Sequence, residues 1–326
     1  MQAIQINKTG GPEALELVDL PRPEPGPGEV VIRAHAIGVG KPDVLFRTGV
    51  YRWMPPLPAI PGAEMTGYVE TLGPGVTHIK IGEPVLVYHL GGGCYAQYAN
   101  VPASAVTRLP PGIDLDDAVS IPNYQVACAL LTEAARGIAA KTVYVNGAAG
   151  GIGSAVIQLC RLQNITVIAG ASTAAKCAFA QSQGATHTID YGRESVAERL
   201  VDLTHGHGVD LILDHIVGKD FTDNLKALAP FGLIVSFNAL GGFPEKELFR
   251  EMRAHLPKSP GVRCFTMHSF DHDLEGRQRV AARTIEVFAT GSVRPPVDRR
   301  LPLAEARQAH ELLDARAVLG KLILKP

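Results

Sequence analysis

The pattern of apolar and polar positions changes near residue 110, and this change predicts two kinds of folded structure. Before it, short alternating runs lie between clusters of proline and glycine, which is typical of strands joined by turns. Closely spaced strands of this kind predict a small β-barrel or sandwich. The predicted strands are Met1–Ile6, Val30–Gly38, Met65–Leu72, Pro84–Tyr88 and Tyr95–Val101.

After Leu109 the apolar runs become nearly continuous and alternate with segments of helical periodicity. Buried strands of a parallel sheet have this continuous apolar pattern, because both faces of the sheet are covered. The alternation therefore predicts a doubly wound parallel sheet. Its predicted strands are Thr142–Asn146, Thr166–Gly170, His187–Asp190, Val209–His215 and Gly232–Phe237, and its helices are Asn123–Gly137, Gly153–Gln163, Ala174–Gln183, Ser195–Thr204 and Phe221–Leu228.

The last part of the chain predicts a return to the first domain. Helical segments over Ala281–Thr290 and Pro302–Leu313 precede a late strand at Lys321–Leu324, after the parallel sheet is already complete. We therefore predict an α/β protein in which residues 268–326 rejoin a β-rich domain over 1–122, while 123–267 form the doubly wound domain.

Composition and charge exclude several classes of protein. Lys and Arg number 31 against 32 Asp and Glu, so no net positive field attracts nucleic acid. The five cysteines are widely spaced and odd in number, which indicates a reducing compartment rather than a disulfide scaffold. The chain begins without a basic stretch before an apolar core, and it contains no apolar run of membrane-spanning length. We expect a cytoplasmic protein that contacts neither membrane nor nucleic acid.

The strongest local motif is a glycine-rich turn between a strand and a helix. Val143–Asn146 leads into Gly147–Gly153, and Ser154–Leu162 follows directly with helical periodicity. Glycine lets a backbone approach a pyrophosphate, whose charge the helix N-terminus stabilises. The motif predicts dinucleotide binding; the alternative is a structural turn without a ligand. The predicted contacts are Gly147, Ala149, Gly150, Gly151 and Ile152.

The end of the next strand indicates which dinucleotide binds. NAD enzymes usually place an acidic residue there for the ribose 2′-hydroxyl, and none occurs between Val167 and Lys176. Ser172 or Thr173 can donate a hydrogen bond and Lys176 supplies positive charge, so these residues favour NADPH. The alternative for Lys176 is a solvated lysine in the first turn of a helix.

Several motifs together identify a family resemblance over nearly the whole chain. The sequence resembles the medium-chain dehydrogenase/reductase superfamily, and within it the zinc-free quinone oxidoreductase branch, which is zeta-crystallin-like. This resemblance implies a GroES-like catalytic domain and a Rossmann domain, with substrate in the cleft between them, and commonly a homodimer. The matching stretches are Gly49–Tyr51, Pro61–Gly67, Gly82–Val87, Gly147–Gly153, Gly184–Asp190, Leu228–Gly232 and Gly320–Leu324.

The positions that hold zinc in related dehydrogenases lack ligands here. Gly38–Asp43 contains no Cys, Ala63 stands where the family has His, and Ile121–Tyr124 has no third ligand. A tetrahedral zinc site needs three or four N or S ligands, so the ligand count excludes a zinc alcohol dehydrogenase. We interpret His205 and His207 as surface residues of a loop.

The resemblance also assigns roles to individual residues. Tyr51 matches a tyrosine that lies near the nicotinamide and can donate a hydrogen bond to the substrate oxygen, and Asp43 matches an aspartate of the same loop. The resemblance thus implies catalytic roles for both residues; the alternatives are a packing aromatic and a capping aspartate. Gly40 stands where the family often has Asn, which removes a hydrogen-bond donor. Phe237 and Phe265 have the alternative of core residues. Further cofactor contacts implied by the resemblance are Tyr191, Ile216, Phe237, Asn238, Ala239, Phe265 and Lys321.

These observations predict an NADPH-dependent reductase that transfers hydride to a quinone or conjugated carbonyl without zinc. One alternative is an enoyl, 2-alkenal or enoyl-thioester reductase, and another is a non-catalytic NADPH-binding sensor or structural protein. Four basic residues near the end of the doubly wound domain have two interpretations: they attract an anionic carrier such as coenzyme A, or they form a solvated face. This basic group consists of Arg250, Arg253, Lys258 and Arg263.

Overall fold

The computed structural model describes residues 1–52 and 54–326, which form two compact units. The first unit comprises Met1–Pro122 and Phe288–Pro326, and the second comprises Asn123–Val287. Residues 268–287 thus belong to the second unit, although the sequence predicted that the return begins at 268. The reason is helix α8, which is one continuous element over Leu274–Ala289 and begins seven residues before its predicted start.

The first unit is built on a seven-stranded sheet with the order β14-β15-β3-β4-β5-β7, and β6 also pairs with β3. The long strand β3 is mostly buried because it is central to this sheet. A separate antiparallel pair joins β1 and β2. The strands are β1 Gln2–Gln5, β2 Glu16–Asp19, β3 Glu29–Val39, β4 Glu64–Leu72, β5 Pro84–Tyr88, β6 Tyr98–Pro102, β7 Val106–Arg108, β14 Val297–Pro302 and β15 Lys321–Lys325.

The final strand completes this sheet from the far end of the chain. Strand β15 pairs antiparallel with β3 and parallel with β14, and its Leu322, Ile323 and Leu324 are almost fully buried. Helix α1 follows β3 after Gly40, so it begins at the end of the central strand. The helices of this unit are α1 Lys41–Thr48, α2 Leu115–Ala118 and α9 Ala306–Asp314.

The second unit confirms the predicted doubly wound fold. Its six strands are all parallel, in the order β10-β9-β8-β11-β12-β13. The order reverses between β8 and β11, and ligands of such sheets bind beyond the carboxyl ends of the strands at this switch point. The strands are β8 Thr142–Asn146, β9 Thr166–Ala171, β10 His187–Asp190, β11 Val209–Asp214, β12 Leu228–Ser236 and β13 Gly261–Cys264.

Two predicted helices of the second unit differ from the observed ones. The helix expected over residues 123–137 is α-helical only to Ala129 and continues as a π-helix over Leu130–Ala134. The segment Phe221–Ala227 is a 3-10 helix. Among the described residues, no helix is both long and apolar enough to cross a membrane. The α-helices are α3 Ile121–Ala129, α4 Gly151–Leu162, α5 Ala174–Ser182, α6 Val196–Leu203, α7 Leu248–Ala254 and α8 Leu274–Ala289.

Candidate functional site

The glycine turn connects β8 to α4 and leaves the start of that helix without a side-chain cap. Gly150 is the N-cap residue, and as a glycine it has no side chain that could accept a hydrogen bond from the first turn. Gly147 has φ +67°, and a Cβ there would lie 2.2 Å from His215 Cε1. A Cβ at Gly153 would lie 2.6 Å from Ala148 Cα. The turn therefore requires glycine at both positions, and the helix N-terminus that it exposes fits an anionic pyrophosphate.

A buried carboxylate joins the glycine turn to the loop after β11. Asp214 is fully buried, and its Oδ1 accepts a 2.9 Å hydrogen bond from Asn146 Nδ2. The same oxygen accepts from the backbone N–H groups of Ile216 and Val217, at 2.8 and 3.1 Å. Burial raises the pKa of Asp214 above its ordinary value. Asp214 and Asn146 were not singled out from the sequence, although each ends a buried apolar strand.

The predicted 2′-phosphate contacts come together where β9 and β10 end. Asp190 lies beside Ala171 in this parallel pair, so Ser172 and Tyr191 follow neighbouring strands. Lys176 Nζ donates to Ser172 Oγ at 3.3 Å. The hydroxyl of Thr173 instead caps α5 by accepting from the Lys176 backbone. Of the two hydroxyls considered from the sequence, the structure thus groups Ser172 with the lysine.

The loops after β11 and β12 are joined by backbone hydrogen bonds. Gly241 N donates to Ile216 O at 2.7 Å, and the ring centroids of His215 and Phe237 are 5.4 Å apart. Ala239 N donates to Asn238 Oδ1 at 2.8 Å, which orders the turn. Ile216, Phe237, Asn238 and Ala239 therefore lie at adjacent carboxyl ends of the sheet, as predicted contacts of one ligand would.

Phe265 follows the edge strand β13 and lies close to the same edge of the sheet. Its backbone N–H donates to Ser236 O at 2.9 Å, and its ring meets Phe270 edge-on at 6.2 Å. Phe237 and Phe265 are both partly exposed, so neither is a fully buried core residue.

In the first unit, Asp43 is buried at the start of α1. Its carboxylate accepts hydrogen bonds from Gly40 N at 2.8 Å and Ala63 N at 3.1 Å. The hydrogen bond from the N-cap residue Gly40 to the Asp43 carboxylate ties the start of α1, as in the capping interpretation of Asp43. Burial and the neighbouring Glu64 raise the pKa of Asp43 to about 7, despite the two N–H donors. A catalytic role for Asp43 stays a prediction.

Tyr51 lies near Asp43 and keeps its proton at physiological pH. Burial, followed by the charge of Asp43, raises the pKa of the Tyr51 phenol to about 12. Its ring packs 6.3 Å from that of Phe46. Both residues belong to a narrow pocket within the first unit, lined by Pro42, Asp43, Phe46, Tyr51, Gly62, Ala63, Leu90 and Gly92.

A buried ion pair lies beside Asp43. The Lys321 ammonium donates to Glu64 Oε1, and the two residues are only 4% and 7% exposed. The backbone of Gly38 leaves room for this pair, since a Cβ there would lie 2.6 Å from Glu64 Oε1. Lys321 belongs to the first unit, and its predicted contact with the nicotinamide or phosphates stays a prediction. Glu64 was noted in the sequence only as the neighbour of Ala63.

The position of the missing family asparagine has no steric need for glycine. Gly40 has an extended backbone with φ −149° and ψ 179°. A Cβ there would contact Pro42 Cδ at 3.5 Å and Glu64 Oε1 at 3.8 Å, which are ordinary distances. The hydrogen-bond donor is therefore absent because of the residue type and not because the fold leaves no room.

The histidines differ in exposure, and they do not form a metal cluster within the described residues. Residues 1–52 and 54–326 contain no group of three or more His, Cys, Asp and Glu side chains arranged to hold a metal ion. His205 and His207 are exposed on the loop before β11. Burial lowers the pKa of His215 to about 4, so this ring beside the glycine turn is neutral at physiological pH.

Fold and sites together define a nucleotide-dependent dehydrogenase or reductase. Residues 26–111 match the family described as alcohol dehydrogenase GroES-like domain, and residues 183–324 match the family described as zinc-binding dehydrogenase. A quinone oxidoreductase of Pseudomonas aeruginosa is 34% identical over 99% of both chains. The chain belongs to the medium-chain dehydrogenase/reductase superfamily, in its quinone oxidoreductase branch, which confirms the resemblance inferred from the motifs.

Solved structures resemble the chain over its full length. The Escherichia coli quinone oxidoreductase complexed with NADPH has a TM-score of 0.88 and 28% identity, with all of both chains covered. A mycobacterial protein complexed with NADPH has a TM-score of 0.88 and 32% identity, again over all of both chains. A 2-haloacrylate reductase has a TM-score of 0.85 at 26% identity, covering 100% of this chain and 99% of its own. The GroES-like and Rossmann fold class is thereby confirmed.

Proposed function

We propose that this protein is an NADPH-dependent quinone oxidoreductase that reduces a quinone or a related conjugated carbonyl by hydride transfer, without zinc. The observation that carries the proposal is the glycine turn before α4 together with the Ser172–Lys176 pair, which follows the neighbouring strand β9. The Pseudomonas relative is named a quinone oxidoreductase, and two similar structures contain NADPH, which supports both parts of the proposal.

Backbone and side chains of the second unit would hold the cofactor, which supplies the hydride when bound. Gly147, Ala149, Gly150, Gly151 and Ile152 would hold the pyrophosphate through N–H groups and the helix N-terminus. Ser172, Lys176 and Tyr191 would hold the 2′-phosphate. The ribose and nicotinamide would contact Ile216, Phe237, Asn238, Ala239 and Phe265.

In the first unit, Tyr51 would donate a hydrogen bond to the substrate oxygen as negative charge develops there. With a pKa of about 12, its phenol acts as a hydrogen-bond donor and does not lose its proton at neutral pH. Asp43, whose pKa is about 7, exchanges a proton close to physiological pH and would serve as the proton reservoir. A quinone needs no Lewis acid because its oxyanion is delocalised.

Cofactor choice provides the sharpest test. Replacing Lys176 by Ala should weaken NADPH binding about tenfold or more and leave NADH binding nearly unchanged, because only NADPH carries the 2′-phosphate. Binding is measured by nicotinamide fluorescence, and turnover by NADPH oxidation with a panel of quinones. Lys141→Ala, an exposed lysine at the amino end of β8, is the matched control. Equal losses for the two nucleotides would contradict the assignment.

An enoyl, 2-alkenal or enoyl-thioester reductase is the second candidate, favoured by the 2-haloacrylate reductase among the similar structures. An acyl carrier bound by the basic group has less support. Lys258 Nζ donates hydrogen bonds to Lys226 O and Leu228 O at 2.6 and 2.8 Å, and the Arg263 guanidinium donates to Ala134 O. Both charges are therefore engaged within the second unit. NADPH oxidation with 2-alkenals in place of quinones separates the two candidates. Tight NADPH binding with neither acceptor reduced would instead support the sensor.

We further propose a cytoplasmic homodimer. Strand β13 has β12 as its one neighbour in the described sheet, and Phe249 and Leu256, which precede it in the chain, are 65% and 58% exposed. Such an edge suits pairing with a second copy. Sedimentation equilibrium tests the dimer, and Val262→Pro, which removes a backbone N–H from this strand, should weaken it. A monomer in the unmodified protein would contradict the proposal.

A further inference from the structure

A second cavity lies in the second unit, away from the glycine turn. It has a volume of about 170 Å³ and opens between the end of α3, the π-helical segment, the last turns of α4, and α8. Leu159 and Leu162 lie eight and eleven residues after the start of α4, which places them roughly 12–17 Å along the helix axis from the glycine turn. The cavity is therefore separate from the predicted pyrophosphate site.

Apolar atoms form the interior of this cavity. Of the residues that line it, Cys128 and Leu159 are buried, and Leu131 and Val287 are half-buried. Two threonines also line it, but their hydroxyls donate within their own helices, from Thr132 to Cys128 O and from Thr284 to Val280 O. The interior thus favours an apolar group.

The mouth of the cavity carries a positive charge without a partner. Arg283 is exposed at the rim and makes no hydrogen bond or ion pair within residues 1–52 and 54–326. Its charge reaches the buried Cys128, where it acts to lower the pKa of the thiol against the larger effect of burial. The charge of Glu133 also reaches Cys128, but this carboxylate forms an ion pair with Arg136. The described lining contains no acidic side chain.

The π-helix supplies one wall of this cavity. Leu131 and Thr132 both lie in the π-helical segment Leu130–Ala134. A π-helical turn holds an extra residue and is frequent at functional sites. Here it lies beside the apolar interior and not beside the glycine turn.

We propose that this cavity binds a small carboxylate with a short apolar tail. The tail enters the interior and the carboxylate pairs with the Arg283 guanidinium. A cavity of about 150 Å³ with an apolar lining holds a benzene-sized ligand, so a tail of about five to six carbons matches the volume here. This site does not depend on the proposed reductase activity.

Hexanoate, hexan-1-ol and acetate are the probes, and isothermal titration calorimetry on the full chain is the measurement. Hexanoate should bind at millimolar concentration or below, and the other two at least tenfold more weakly, because one lacks the charge and the other the tail. Arg283→Gln should weaken hexanoate about tenfold. Arg279→Gln removes an exposed charge from the same helix outside the cavity lining, and should leave the affinity unchanged.

A second variant tests the interior itself. Val287→Phe fills the cavity and should abolish hexanoate binding, while NADPH binding, followed by nicotinamide fluorescence, stays within twofold. The proposal is overturned if hexanoate does not bind. It is also overturned if hexanoate binds to Arg283→Gln and Val287→Phe as tightly as to the unmodified protein. It is also overturned if hexanol binds as well as hexanoate, or if Val287→Phe changes the sedimentation of the protein instead, since the cavity would then be an interface between copies.

Discussion

The two units build their candidate sites from different atoms. The second unit presents backbone N–H groups at a glycine turn, and its main charged contact, Lys176, is only half-buried. The first unit buries Asp43, Glu64 and Lys321 together, each less than 10% exposed. A backbone site requires little beyond the local turn, whereas a buried cluster of charges is stable only if every partner is present.

The largest expected effect concerns the buried ion pair of the first unit. Lys321→Met leaves the Glu64 carboxylate buried without its cation, and should destabilise the fold by about 3–5 kcal/mol in urea denaturation. Adding Glu64→Leu should recover most of that loss. Lys325→Met, which removes a partly exposed partner of Asp116 from the same strand, should cost about 1 kcal/mol or less. If Lys321→Met and Lys325→Met lost the same free energy of unfolding, the buried ion pair would not be the special requirement of the first unit.

A substitution in the glycine turn should weaken cofactor binding. In Gly147→Ala the new Cβ meets the His215 ring and φ stays positive, so NADPH should bind about 100-fold more weakly. Gly206→Ala is the control, because φ is +82° there and no atom lies within 4 Å of the added Cβ. If both variants bind NADPH alike, the contact with His215 is not what shapes the turn.

The carboxyl of Asp43 should make stability depend on pH. Its folded-state pKa of about 7 lies above the usual 3.8, so the protonated form stabilises the fold at low pH and this contribution is lost as pH rises to 7. Relative to Asp43→Asn, the unmodified protein should lose roughly 2 kcal/mol between pH 5 and 7. Urea denaturation at several pH values measures this difference. Parallel stability curves for the two proteins would show that Asp43 is ionised throughout.

The smallest expected effect concerns backbone strain at Phe231, a residue that belongs to neither site. Phe231 has φ +63° and is 75% exposed, so little packing is lost when it is replaced. Asn adopts this conformation more readily, and Phe231→Asn should therefore stabilise the protein by about 0.5–1 kcal/mol in thermal or urea unfolding. A loss of stability would mean that the ring contributes contacts that outweigh the strain.

The second unit could be predicted from sequence because its signals are local. Strand β8, the glycine turn and helix α4 are adjacent in the chain, and Ser172 and Lys176 share the first turn after β9. Periodicity also predicted the doubly wound parallel sheet, although it did not distinguish the π-helical segment that follows α3. No local pattern predicted the hydrogen bond between Asn146 and Asp214, because the two residues are 68 positions apart in the sequence.

The first unit was harder to predict because its contacts span the chain. Glu64 and Lys321 are 257 residues apart, and no motif links them. Tyr95 and His310, which share a buried 3.1 Å hydrogen bond, are 215 residues apart and were not anticipated either. Lys321 was assigned to the cofactor by resemblance, since its buried carboxylate partner becomes evident only in three dimensions.

The position of β15 has a consequence for how the protein forms during synthesis. Residues 123–287 are contiguous, so the parallel-sheet unit can fold as soon as they leave the ribosome. The N-terminal unit, although translated first, must wait for β15, which pairs with β3 and is synthesised after the whole parallel-sheet unit. Until then the edge of β3 and the carboxylate of Glu64 stay unsatisfied, and the nascent chain has most need of chaperones at that stage.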